Sequence, residues 1–171
     1  MHKAKRILCP TDFSRHSRYA LRRAAAMAMA AGAEMILLHV LPQTTPAGLN
    51  EDSYILTDWR KFMQVEEEKA RRALEREKRL KFLEGVKVRT VLGAGSPYRE
   101  IVRLASTMRA DLIVISTHGT TGLLHLMLGS VAERVVRLAA CLVLVVKPPR
   151  MRMAGHSVAR VIRRPARGVA K

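Results

Sequence analysis

The 171-residue chain is 49% hydrophobic but only 4% aromatic, which is enough apolar material for one folded domain with a core of Ala, Val, Leu, Ile and Met. No apolar run approaches the ~20 residues of a membrane helix, and Met1-His2-Lys3-Ala4-Lys5-Arg6 leads into too short an apolar stretch for a secretory leader, so a cytoplasmic protein without membrane insertion is expected. The net charge of +17 favours anionic partners such as nucleotides, nucleic acid or acidic lipid, without choosing among them.

Ile7-Leu8-Cys9 is a short apolar run stopped by Pro10 and reads as the first strand. Ser14 can cap a helix running through Ala20, Leu21, Ala24, Ala25 and Ala28 to a C′ glycine at Gly32. Met35 to Val40 is the second strand, and residues 42–57, with Pro42, Pro46, Gly48, Asn50 and Asp52, read as a loop. Trp59, Phe62, Val65, Ala70, Ala73, Leu74 and Leu80 recur at helical spacing, with Glu67 and Arg71, and Glu68 and Arg72, paired four residues apart. Val86, Val88, Thr90 and Val91 form the third strand, ended by Gly93 and Gly95. Ser96-Pro97 opens the third helix, and Leu112 to Ile115 is the fourth strand. Ser130-Val131-Ala132-Glu133 has the spacing of a capping box at the start of the last helix. Leu142 to Val146 is the fifth strand, closed by Pro148-Pro149.

Strands and helices therefore alternate. Short, nearly all-apolar strands of this kind are covered on both faces, and right-handed crossovers between them give a doubly wound parallel five-stranded sheet with helices on both sides. Residues 1–149 are expected to form this domain. Residues 150–171 carry seven Lys/Arg and no acid, and read as a basic, solvated tail with a polyanion contact as the sharper alternative. Cys9 and Cys141 fall within the predicted strands and read as buried free thiols.

In an open parallel sheet, ligands sit beyond the carboxyl ends of the strands where the winding reverses. The unusual loops are Pro10-Thr11-Asp12-Phe13-Ser14 after the first strand and Ser116-Thr117-His118-Gly119-Thr120-Thr121-Gly122 after the fourth, which leads to Gly129-Ser130. If strands one and four are neighbours, both loops face one crevice. Glycines let amides approach an anion, and a helix opening at Gly129-Ser130 offers free amides and a dipole to phosphate. Turn and capping roles remain the plainer alternative for these glycines. His39 reads as a satisfied structural histidine. His118 reads as a loop group bonded to backbone, with phosphate contact as the alternative.

These motifs together resemble the universal stress protein family. The likeness rests on Cys9-Pro10-Thr11-Asp12-Phe13-Ser14, Leu37-Leu38-His39-Val40, Gly93-x-Gly95, Ala110-Asp111-Leu112-Ile113-Val114, and Gly119 followed after nine residues by Gly129-Ser130-Val131. It spans roughly residues 5 to 147. One position departs: the first glycine of the family's G-x2-G-x9-G-S/T signature is Ser116, whose side chain would narrow the ribose space, demand a different backbone angle, or add a donor. The resemblance implies an adenine nucleotide alpha hydrolase-like fold holding ATP, with or without Mg2+. Asp12 would face the ribose or adenine, the Val40 backbone the adenine edge, and Gly119, Gly129, Ser130 and Val131 the phosphates. Pro10, Thr11, Ser116, His118 and Gly122 complete the candidate cofactor-binding set. The resemblance also implies a homodimer through Leu142 to Val146.

No G-x4-G-K-S/T loop occurs, and no acid pair stands beside the glycine loop to hold a metal and activate water. No catalytic residue is assigned; binding is expected, with at most slow or partner-dependent hydrolysis. The expected role is a nucleotide-responsive regulatory module in the stress response. The alternatives are a nucleotide-free dimeric scaffold of the same fold, a polyanion binder acting through the tail, and an enzyme of the wider superfamily, whose S-G-G-x-D-S mark is absent.

Overall fold

The computed structural model describes residues 4–42, 54–117 and 129–147. The chain runs β1 (Arg6–Pro10), α1 (Arg15–Ala31), β2 (Glu34–Leu41), α2 (Tyr54–Lys78), a 3-10 turn (Lys81–Leu83), β3 (Val88–Ala94), α3 (Pro97–Thr107), β4 (Leu112–Ser116), α4 (Ser130–Leu138) and β5 (Leu142–Val146). All neighbouring strands pair in parallel, in the order β3-β2-β1-β4-β5. The winding reverses between β1 and β4, where Leu8 stands opposite Ile113.

The two faces of the sheet carry separate cores, as the strand period of two requires. Ile7, Cys9, Met35, Leu37 and Val114 pack under the alanine-rich face of α1 and Leu74 of α2. Leu8, Ile36, Leu38, Ile113 and Ile115 pack under Ile101 and Ala105 of α3 and Ala132 and Val135 of α4. Small alanines at positions 20, 24, 25 and 28 let α1 lie close to the strands, which suits a core with few aromatics.

Local signals are realised where backbone chemistry dictates them. Ser14 Oγ accepts the Ser17 amide at 3.1 Å as N-cap of α1. Gly32 ends that helix at φ 64°, the left-handed region in which glycine carries no Cβ penalty.

Several boundaries differ from the sequence reading. Pro10 is the last residue of β1 rather than its stop; it lacks a donor, but the Thr11 amide resumes the ladder by donating to the Leu38 carbonyl at 2.7 Å. The second helix begins at Tyr54, so residues 54–57 of the expected loop are helical; the prolines and Gly48 all lie upstream. Val86 precedes β3, and Gly93 lies inside it, opposite Val40. A Cβ at Gly93 would come within 3.3 Å of Leu104 Cδ1, so glycine here allows α3 to seat closely on the sheet.

The capping box at Ser130 is not formed. Gly129 is the N-cap, because its carbonyl accepts the first helical amide, from Glu133 at 2.9 Å, and Ser130 is already the first helical residue. Cys141 sits just before β5 and is half-buried, while Cys9 is buried. The expectation of strands covered on both faces fails at the edge. Val146 joins the α1-side core, but Leu142 and Leu144 on that same face stay exposed, at 75% and 37%. No helix among the described residues is long and apolar enough to cross a membrane. The basic tail lies outside the described residues.

Candidate functional site

A cleft of about 510 Å³ opens at the carboxyl ends of β1, β2 and β4, where the winding reverses. Pro10, Thr11, Asp12, Val40, Ser116, Gly129, Ser130 and Val131 all line it. His118, Gly119 and Gly122 lie outside the described residues. The two ends of that segment meet at the cleft. The Gly129 amide donates to the Thr117 carbonyl at 2.7 Å, and the Thr117 amide donates to the Val146 carbonyl at 3.1 Å.

The β1 loop is built by side chains bonding to nearby backbone. Asp12 Oδ1 accepts the Ser14 amide at 3.1 Å, and Thr11 Oγ1 accepts the Phe13 amide at 3.0 Å. Between them Phe13 takes a left-handed conformation, φ 63°, which costs a non-glycine residue roughly 1 kcal/mol. Its ring stacks on His39, with centroids 4.4 Å apart and planes 32° apart. His39 Nδ1 lies 2.7 Å from the Thr11 carbonyl, which only accepts, so Nδ1 carries the proton. His39 is thus the satisfied structural histidine the sequence suggested, and it also lines the cleft.

The far wall of the cleft was not legible in the sequence. Pro97 and Ile101 come from α3, and Leu38, Val40 and Ile115 complete an apolar floor suited to a flat base. Thr117 adds a hydroxyl beside Ser116. Ser116 itself lies in β4, in register with Val146, and it is not among the described residues with positive φ. The glycine of the family signature is therefore not required here for its backbone angle, and the serine contributes a buried hydroxyl at the cleft wall.

Among the described residues lining the cleft, Asp12 and His39 carry the titratable side chains, and no Lys or Arg is present. The segment 118–128 contains no Lys or Arg either. Among the described residues at this mouth, the groups able to donate to an anion include the amides at the start of α4 and the hydroxyls of Ser116, Thr117 and Ser130. No group of three or more His, Cys, Asp or Glu among the described residues is placed to hold a metal.

Cys9, one residue before Pro10, is buried in the core under α1 and does not line the cleft. Burial pushes its thiol well above the usual range, and the nearby Glu77 carboxylate adds to that.

Comparison with known proteins agrees with this architecture. The model of the "Universal stress protein family" matches residues 3–147. Universal stress protein MJ0531 of Methanocaldococcus jannaschii is 38% identical over 146 residues, covering 85% of this chain and 84% of that protein. The solved structure of MJ0577, from the same archaeon, superposes with a TM-score of 0.74 at 34% identity, covering 86% of this chain and 98% of that one. A universal stress protein solved in complex with cAMP superposes with a TM-score of 0.56 at 26% identity, covering 85% of this chain and 98% of that one. With the sheet order, the cleft at the winding reversal and a family match across residues 3–147, the chain belongs to the universal stress protein family.

Proposed function

We propose that the chain binds an adenine nucleotide, ATP in particular, and acts as a nucleotide-responsive regulatory module in the stress response. The observation that carries this reading is the convergence of the β1 loop and the amide-bearing start of α4 on one cleft with an apolar floor. Its volume falls in the range of about 300–1,000 Å³ in which small-molecule sites bury their ligands. The base would lie over Leu38, Val40, Ile101 and Ile115, with Asp12 toward the ribose. Gly129, Ser130 and Val131, with the hydroxyls of Ser116 and Thr117, would take the phosphates. The family motif extends that set to Gly119, and its loop neighbours His118 and Gly122 complete the candidate set. Mg2+ would travel on the phosphates. A relative solved with cAMP supports the nucleotide class.

The same reading includes an isologous homodimer through β5. This strand is a sheet edge, and its exposed leucines would be covered by a second copy. That edge also favours the second reading, a dimeric interaction scaffold without nucleotide.

Calorimetry with ATP, AMP and GTP, with and without Mg2+, separates the two. ATP binding to the wild type is expected, along with its loss in Gly129→Val at unchanged circular dichroism. A wild-type protein that takes up no ATP at millimolar concentration leaves the scaffold reading standing.

A further inference from the structure

A buried carboxylate lies beneath the β1 loop, outside every motif the sequence offered. Glu77, in the last turn of α2, is 2% exposed. Its Oε1 accepts from Arg18 Nε of α1 at 2.8 Å, and its Oε2 accepts from Thr11 Oγ1 at 3.1 Å. A carboxylate can only accept, so the Thr11 hydroxyl gives its one proton to Glu77 and keeps its lone pairs for donors. One of those donors is the Phe13 amide. Ser17 Oγ stands 3.2 Å away on the same buried network. On the other side of the residue, the Thr11 carbonyl is held by His39. Thr11, 5% exposed and lining the cleft, is therefore clamped through both side chain and backbone, and the residue after it is Asp12.

A buried ion pair is a poor device for adding stability, since desolvation offsets most of the attraction and apolar side chains of similar volume do as well. Arg18, 42% exposed along its side chain, repays little of that burial and can turn to water without Glu77. The arrangement fixes direction instead: it orients one hydroxyl at the point where the loop turns into the cleft.

We propose that Glu77 is a positioning residue for the nucleotide cleft, orienting Thr11 so that the left-handed turn at Phe13 is held and Asp12 is presented to the ligand. This rests on the nucleotide reading. It makes ligand affinity answer to the seating of the last turn of α2, an element that contributes no described residue to the cleft itself.

The test combines ATP titration calorimetry with amide hydrogen exchange of the ligand-free full chain. Glu77→Leu is expected to weaken ATP binding about tenfold, the effect of losing one hydrogen bond to a charged group. Glu77→Gln, which keeps an acceptor for Thr11, restores affinity to within about threefold of wild type. Thr11→Val weakens binding by a similar factor and adds little in the Glu77→Leu background, because both remove the same link. Leu74→Ala, one turn earlier in α2 and buried in the core, lowers stability but leaves affinity near wild type. Exchange at the Phe13 and Ser14 amides accelerates in Glu77→Leu and not in Leu74→Ala.

Full affinity in a folded Glu77→Leu, or an equal loss in Leu74→Ala, overturns the positioning role. Should wild type bind no ATP, the nucleotide reading falls and the positioning role falls with it, while unchanged exchange in Glu77→Leu would show separately that the loop never depended on this carboxylate.

Discussion

The Arg6 amide is held by the Asp111 carboxylate at 2.8 Å, across the seam where β1 meets β4. The same oxygen also takes the Lys5 amide at 2.7 Å. One side chain at the mouth of β4 thus aligns the two strands whose far ends carry the cleft.

These bonds, the Arg6 amide first and then the Lys5 amide, hold the Asp111 carboxyl below the usual carboxylate range. A depressed folded-state value means stabilisation that is present above the unfolded value, near about 3.9, and lost as pH falls through the folded value. Asp111 is exposed, so solvent screens the gain. Asp111→Ala is expected to cost about 1 kcal/mol at neutral pH. Urea midpoints measured from pH 7 downward should converge for the two proteins in acid; a constant gap at low pH would contradict this.

The two thiols differ in environment, and reagent kinetics should separate them. Burial raises both, and at Cys141 the Asp111 charge adds a smaller upward push against a backbone hydrogen bond. In the native protein Cys141 should react with a disulfide reagent slowly at pH 7, and up to about tenfold faster per pH unit above that while its thiol stays protonated. Cys9 should react only on unfolding. Cys141→Ser should then show no thiol that reacts in the native protein, and a thiol still reacting natively in that variant would place Cys9 in contact with solvent.

The cleft would hold phosphates with neutral donors, since no Lys or Arg lines it among the described residues. Salt screens charge pairs far more than amide and hydroxyl bonds. The ATP dissociation constant should therefore change by less than about threefold between about 50 and 300 mM NaCl, despite the strongly basic body. A steep salt slope would instead bring basic side chains into the site.

Covering Leu142 and Leu144 is the apolar reward of the proposed dimer. The pair of substitutions Leu142→Glu and Leu144→Glu should halve the mass seen by sedimentation and leave the circular dichroism spectrum unchanged. A wild-type protein already monomeric at micromolar concentration would remove the dimer from the proposal.

Local chemistry is what the sequence by itself determined. The order of strands and helices follows from runs such as Met35 to Val40 and from the Ser14 and Gly32 caps, because hydrophobic period and capping act over a few residues. The two loops of the candidate site could be named, since each follows an apolar strand and one ends at a helix start. Boundaries slipped where a signal had two local solutions: Ser130 had the spacing of a cap, but the Gly129 carbonyl took the first helical amide.

Tertiary structure alone decided what meets across the chain. Pro97 and Ile101 become cleft wall only because α3 crosses to the face that β4 and α4 share, and their apolar spacing reads as ordinary core. Nothing local in the sequence separates Glu77 from the other charges of α2, several of which pair at helical spacing. The burial of Glu77 against Thr11, 66 residues away, depends on how α2 docks on the sheet. Periodicity reports which face of an element is apolar, whereas the partner that a buried polar atom finds is set by packing over long range.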